Sequence, residues 1–125
     1  MEQRTLTTEK GFYIGDLCYC LSDKDYSKWG STGYKDGAYK DFIVGRTHKG
    51  DGYYPVKENG VFIFKISVDA GNVSVARLEA CNGAFMHLGF IVEGEGTAEY
   101  KNDKGDITIT LNMKGKNEIV FTIRT

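Results

Sequence analysis

Ile107-Thr108-Ile109-Thr110-Leu111-Asn112-Met113 alternates apolar and polar side chains without a break, and Ile119, Phe121 and Ile123 repeat the alternation shortly afterwards. A period of two sends one set of side chains into a core and the other into water, the pattern of an antiparallel sheet with one solvated face. Asn102-Asp103-Lys104-Gly105 and Lys114-Gly115-Lys116-Asn117 bracket this stretch and suit hairpin loops, because Asn, Asp and Gly accept backbone conformations that other residues avoid. Working outward, Val61 to Val68, Val73 to Glu79, Phe85 to Val92, Thr97 to Lys101, Ile107 to Met113 and Glu118 to Arg124 read as six successive strands separated by turn signals. Val61-Phe62-Ile63-Phe64 and Phe85 to Val92 are apolar on both faces except at Lys65 and His87, which predicts central positions for them. Two layers packed face to face accommodate both kinds of strand. The expected fold is therefore all-β, an antiparallel β-sandwich or a partly open barrel.

The first half of the chain is less regular. Sixteen glycines against one proline favour short strands joined by glycine turns. Ser22 to Trp29 is the clearest helical candidate: Ser22 can cap the first turn, Asp25 follows three residues on, and Gly30 stops it. This predicts one short helix near residues 22–29, of about two turns. Phe12 to Ile14, Tyr19 to Leu21 and Asp41 to Val44 are short strand candidates within a dense mixture of Gly, Asp and Tyr. Long irregular connections are uncommon in compact domains and are often functional, so residues 11 to 60 are where a site is expected.

Composition bounds the class. The 125 residues are 41% hydrophobic and 26% charged, with 16 basic against 17 acidic side chains and a formal charge of −1. A single domain over residues 1–125 is expected, since a chain of this size buries enough surface to hold a core unaided. No apolar run approaches the roughly 20 residues that span a bilayer. The opening Met1-Glu2-Gln3-Arg4-Thr5-Leu6-Thr7-Thr8-Glu9-Lys10 has no signal-peptide core, so the expectation is a cytoplasmic protein without a membrane partner. Near-neutral charge argues against nucleic acid, whose phosphates demand a surplus of Lys and Arg on one face. Three cysteines cannot close into a full disulfide framework, which agrees with a reducing compartment. Cys18 and Cys20 would face the same side if they lay on a strand. Without a C-x-x-C pair or histidines at ligand spacing, no metal site or cofactor is expected, and the thiols read as small buried apolar groups.

Two groups of residues can carry chemistry. Asp16, Asp36, Asp51 and Asp69 each lie beside or within two residues of a glycine. Glycine lets the backbone turn sharply and bring carboxylates to a shared point, as in cation sites and paired-carboxylate catalysis. Asp-Gly is equally a hairpin signal, and that reading is preferred for Asp36, Asp51 and Asp69. Asp16 stands apart, because Leu17-Cys18-Tyr19-Cys20-Leu21 follows it directly and its carboxylate is placed to bond a neighbouring loop. The second group is aromatic. Tyr26, Trp29, Tyr34, Tyr39, Phe42, Tyr53 and Tyr54 interleave with glycines, and flat rings on such loops stack on a ligand or anchor a protein partner. Arg46, Lys35 and Lys49 are then available for a phosphate or an acidic surface. Nucleophilic catalysis finds little support: His48 sits in a polar turn, His87 in an apolar strand, and no local signature pairs either with a cysteine. Gly94-Glu95-Gly96 lacks the helix and third glycine of a dinucleotide fingerprint.

Three phrases occur together: Tyr13-Ile14-Gly15-Asp16-Leu17-Cys18-Tyr19, Gly33-Tyr34-Lys35-Asp36-Gly37-Ala38-Tyr39 and Ser67-Val68-Asp69-Ala70-Gly71. Over about residues 12 to 78 they resemble a group of small uncharacterised proteins from bacteria and their phages that carry I-G-D-P-C-Y, a later G-D-G-x-Y and a V-D-S-G turn. This chain departs from the pattern with Leu17 for proline, Lys35 for glycine and Ala70 for serine. The resemblance implies a phage or mobile-element origin, marks Asp16, Cys18, Tyr19, Asp36, Tyr39 and Asp69 for attention, and supplies no reaction. The resulting expectation is a non-enzymatic binding domain that takes a protein partner or small-molecule ligand through Asp16, Cys18, Tyr19, Tyr34, Asp36, Tyr39, Arg46, Tyr53 and Asp69. An inhibitor or sponge acting on a host defence system is one form of it. The alternative is a carboxylate-based, metal-assisted hydrolase in which Asp16, Asp36 and Asp69 converge. A structural subunit with an exposed edge strand or apolar patch is the third.

Overall fold

In a computed structural model residues 4–125 are described; Met1 to Gln3, from the opening stretch, lie outside the described residues. In chain order the elements are β1 (Arg4–Thr8), β2 (Gly11–Gly15), α1 (Leu17–Cys20), α2 (Asp23–Gly30), β3 (Gly37–Ala38), β4 (Phe42–Arg46), β5 (Gly52–Glu58), β6 (Val61–Val68), β7 (Asn72–Arg77), β8 (Phe90–Glu93), β9 (Gly96–Asp103), β10 (Asp106–Met113) and β11 (Ile119–Arg124). Two 3₁₀ turns, Leu78–Ala80 and Met86–Leu88, lie between β7 and β8.

The alternating stretch is β10, and it sits where its pattern demands. Ile107, Ile109, Leu111 and Met113 are buried, and β10 pairs antiparallel with β9 on one side and β11 on the other. Lys104 and Gly105, both at positive φ, make the two-residue turn between β9 and β10. These strands belong to a six-stranded sheet ordered β1-β9-β10-β11-β5-β6, and a separate five-stranded sheet runs β3-β4-β7-β2-β8. Every pairing is antiparallel, and the two sheets stay separate, so the architecture is a sandwich and not a closed barrel.

The core between the sheets takes Val56, Ile66, Tyr100, Ile107, Ile109 and Phe121 from the larger sheet against Phe12, Ile14, Ile43, Val73 and Val75 from the smaller. A second apolar cluster lies on the far side of the smaller sheet, where Tyr13, Val44 and Ala76 are covered by Leu17, Cys20, Leu21 and Trp29. The two helices therefore form a partial third layer. That is why β2 and β7 are buried along most of their length: alternate residues face the sandwich and the helices.

The helix over 22–29 forms as predicted, with the Ser22 hydroxyl accepting from the Asp25 amide and the last helical residue at Gly30. Four expectations need correction. Tyr19 to Leu21 is not a strand: Asp16 caps a single helical turn over Leu17–Cys20, so Cys18 and Cys20 do not share a face. Phe85 to Val92 is not a central strand but a 3₁₀ turn, which carries His87, followed by the short edge strand β8. The strand that begins at Val73 ends at Arg77, leaving Glu79 in the other 3₁₀ turn. Val61-Phe62-Ile63-Phe64 lies on β6, the edge of the larger sheet, with Val61 66%, Phe62 54% and Ile63 42% exposed. A register shift at Val56/Lys57 places Val56 opposite Phe64 but Lys57 opposite Phe62, so Ile63 is the extra residue of a bulge that turns this edge outward.

Candidate functional site

Asp16 leaves β2 fully buried and is the most heavily bonded side chain of the region. Its Oδ1 accepts from the Cys18 amide at 2.9 Å and from Asn72 Nδ2 at 3.0 Å. Its Oδ2 accepts from the Asp69 amide at 2.9 Å and the Ala70 amide at 2.7 Å. Asn72 Oδ1 in turn accepts from the Leu17 amide at 3.0 Å, and the Tyr13 hydroxyl donates to the Asp16 carbonyl at 2.8 Å. A carboxylate offers about four acceptor positions, and this one has four donors. The residue thus sews the start of α1 to the β6–β7 turn, and its oxygens are committed to that task. Beside it, burial first and then the Asp16 charge push the Cys18 thiol well above its ordinary range, the opposite of an activated nucleophile. The Tyr19 hydroxyl lies 3.2 Å from Ser67 Oγ.

A second assembly surrounds α2. Trp29 lies edge-on to Tyr26, Tyr34 and Phe42 with ring centroids 5.5, 5.3 and 6.4 Å away, and Tyr39 packs on Phe42 at 5.0 Å. Trp29 Nε1 and the Tyr39 hydroxyl both donate to the Lys35 carbonyl, at 3.1 and 2.6 Å, which fixes the loop between α2 and β3. On that loop Tyr34 holds a φ of 55° after Gly33 at 85° and remains 43% exposed. Its ring lies over Gly30, where a Cβ would come within 2.8 Å of it. Arg46 closes the arrangement from β4: its Nη2 donates to the Tyr34 carbonyl at 2.7 Å, its Nε is 3.4 Å from Asp36 Oδ1, and its amide donates to Asp36 Oδ2 at 3.2 Å. Tyr26, Trp29, Tyr34, Arg46 and Ala70 line a recess of about 200 Å³. Burial, and then the charge of Asp16, pushes the Tyr26 hydroxyl up to about 12. Behind Trp29 a second recess of about 330 Å³ is walled by Trp29, Tyr39 and Phe42 and rimmed by Asp25, Lys28 and Lys40.

The residues singled out by sequence thus fall into two adjacent sets. Asp16, Cys18, Tyr19 and Asp69 gather at the β6–β7 turn, and Tyr34, Asp36, Tyr39 and Arg46 gather beyond α2. Ala70 joins them, since its amide is held by Asp16 and its side lines the Tyr34 recess. Tyr53 belongs to neither: it is 74% exposed on β5, opposite Ser67. Asp36 and Asp69 do not converge with Asp16 on a cation site, for among the described residues no three His, Cys, Asp or Glu side chains share a metal-binding position. His48 lines a third recess of about 230 Å³ with Arg46 and Lys104. Asn72 was not singled out by the sequence, and Ala70 was noted only as a departure from the serine of the resembling pattern. The signal for Asn72 was an uncharged amide directly before Val73 at the head of a buried strand, where burial requires it to bond something specific. No protein-family model matches the chain, and no curated protein or solved structure matches it either.

Proposed function

We propose that the protein is a non-enzymatic binding domain that docks a protein partner through Tyr34 and Arg46, with Trp29 and Tyr26 as the floor of the contact. One observation carries this reading. Tyr34 is a non-glycine residue held in the left-handed region, an arrangement costing on the order of 1–3 kcal/mol that persists only when its surroundings enforce it. Here Arg46, Gly30 and two rings enforce it, and the outcome is a tyrosine presented to solvent beside a guanidinium. Tyr, Trp and Arg are the residues on which binding energy concentrates at protein interfaces. The size of the recess favours a partner's side chain over an enclosed ligand: about 200 Å³ falls below the roughly 300 Å³ at which small-molecule pockets begin. A cytoplasmic inhibitor or sponge acting against a host defence component is the form of this function that the phage resemblance supports.

The test is affinity capture from host extract with the full chain, compared across Tyr34→Ala, Arg46→Glu and the remote Lys101→Glu. A partner retained by the wild type and Lys101→Glu and lost by both site variants is the expected result. Equal capture by all four proteins removes this face from consideration. Native mass spectrometry of the same preparations distinguishes a retained small molecule from a protein.

A further inference from the structure

Cys20 and Cys81 lie 61 positions apart in sequence, yet their Sγ atoms are 2.9 Å from each other. The contact belongs to a close seam between α1 and the segment after β7. The Cys20 carbonyl accepts from the amides of Asn82 and Gly83, at 3.0 and 2.8 Å, and the Ser22 amide donates to Asn82 Oδ1 at 2.7 Å. Gly83 is pressed so tightly on this seam that a Cβ there would meet the Tyr19 carbonyl oxygen at 2.3 Å. Three hydrogen bonds therefore hold the two segments together independently of any sulfur chemistry. Cys20 is fully buried, Cys81 is half-buried, and both are free thiols in this structure. The hydrogen bond with Cys81, reinforced by burial, pushes the Cys20 thiol far up.

We propose that Cys20 and Cys81 are a disulfide-forming pair, closed by exchange with a small-molecule disulfide, and that Cys18 takes no part. Cys81, the more accessible sulfur, attacks the small disulfide as a thiolate after giving its proton to solvent, and one small thiolate leaves. Cys20 then loses its proton and attacks the Cys81 sulfur of the mixed disulfide, displacing the second small thiolate. The two protons end on the two leaving groups, so two cysteine thiols are oxidised to one disulfide and one small disulfide is reduced to two thiols. The closed ring encloses α2 and strands β3 to β7, including the whole Tyr34–Arg46 face.

The experiment equilibrates the full chain with reduced or oxidised glutathione, alkylates it under denaturing conditions and counts modified thiols by intact mass, followed by peptide mapping. Three modified thiols are expected after reduction and one, Cys18, after oxidation, with a Cys20–Cys81 cross-linked peptide. Cys18→Ser should close the same bridge and gain on the order of 10 °C in melting temperature on oxidation, whereas Cys81→Ser should show neither change. Three free thiols after equilibration with the oxidised reagent, or a bridge that contains Cys18, would overturn the proposal.

Discussion

Replacing Asp16 with alanine would strand three backbone amides and the Asn72 side chain at a fully buried position. Each orphaned donor costs about 1–3 kcal/mol, so Asp16→Ala should lower the unfolding free energy by roughly 3 kcal/mol or more in urea titration. Asp16→Asn keeps the shape but turns one acceptor into a donor facing donors, and should fall between wild type and alanine. A stability near wild type for Asp16→Ala would show that these bonds do not hold the β6–β7 turn. Gly83→Ala tests the other seam: its new methyl group meets backbone, not a movable side chain, and should cost about 1–3 kcal/mol. Sequence marked Asp16 as the aspartate that would bond a neighbouring loop, because an apolar run follows it. It could not show that Asp69 and Ala70 supply that loop, since contacts between residues more than fifty positions apart leave no trace in local pattern.

Among the elements, legibility followed periodicity. Strands β9 to β11 were readable because their alternation encodes one buried and one wet face. Helix α2 was readable because Ser22, Asp25 and Gly30 punctuate it. The apolar runs were not. Phe62 and Ile63 are as hydrophobic as any central strand, and only pairing on one side, with a bulge at Ile63, distinguishes them as an edge. Strand β5 was hidden by its Pro55 and tyrosines, although Asn59-Gly60 behind it, both at positive φ, is the hairpin signature that announces it. Helix α1 spans a single turn of Leu-Cys-Tyr-Cys and is stabilised by its cap and its packing, with no helical period to read. The edge assignment makes a measurable distinction. Phe62→Lys should change stability by no more than about 0.5 kcal/mol, as exposed substitutions do. Ile109→Ala, from the middle of the core, should cost about 2–5 kcal/mol. A comparable loss at Phe62 would mean that β6 is covered.

For the whole molecule, pH is the simplest probe of how the parts are tied. Glu79 joins the turn after β7 to the β1–β2 connection. Partial burial works to raise its carboxyl, but hydrogen bonds from the Thr8 hydroxyl, the Glu9 amide, its own amide and Arg77 outweigh this and hold it at about 2 against an ordinary 4.5. A carboxyl depressed on folding stabilises the fold above its unfolded value and loses that contribution as pH falls. The melting temperature should therefore decline between about pH 4.5 and pH 2, and Glu79→Gln should flatten that part of the profile. At the alkaline end, burial pushes the hydroxyls of Tyr13 and Tyr100 far up. Both should stay protonated past pH 10.0, their ordinary value, and stability should fall from there as the unfolded chain ionises; a ring carbon signal of Tyr13 or Tyr100 that titrates in the NMR spectrum of the folded protein near that pH would contradict this. Strand β11 sits between β10 and β5, so the β5–β6 hairpin reaches β10 only through residues 119–124. Until those residues are in place, the β5 edge of the hairpin carries unpaired backbone groups, and a partly folded molecule is open there to pairing with a strand of another copy.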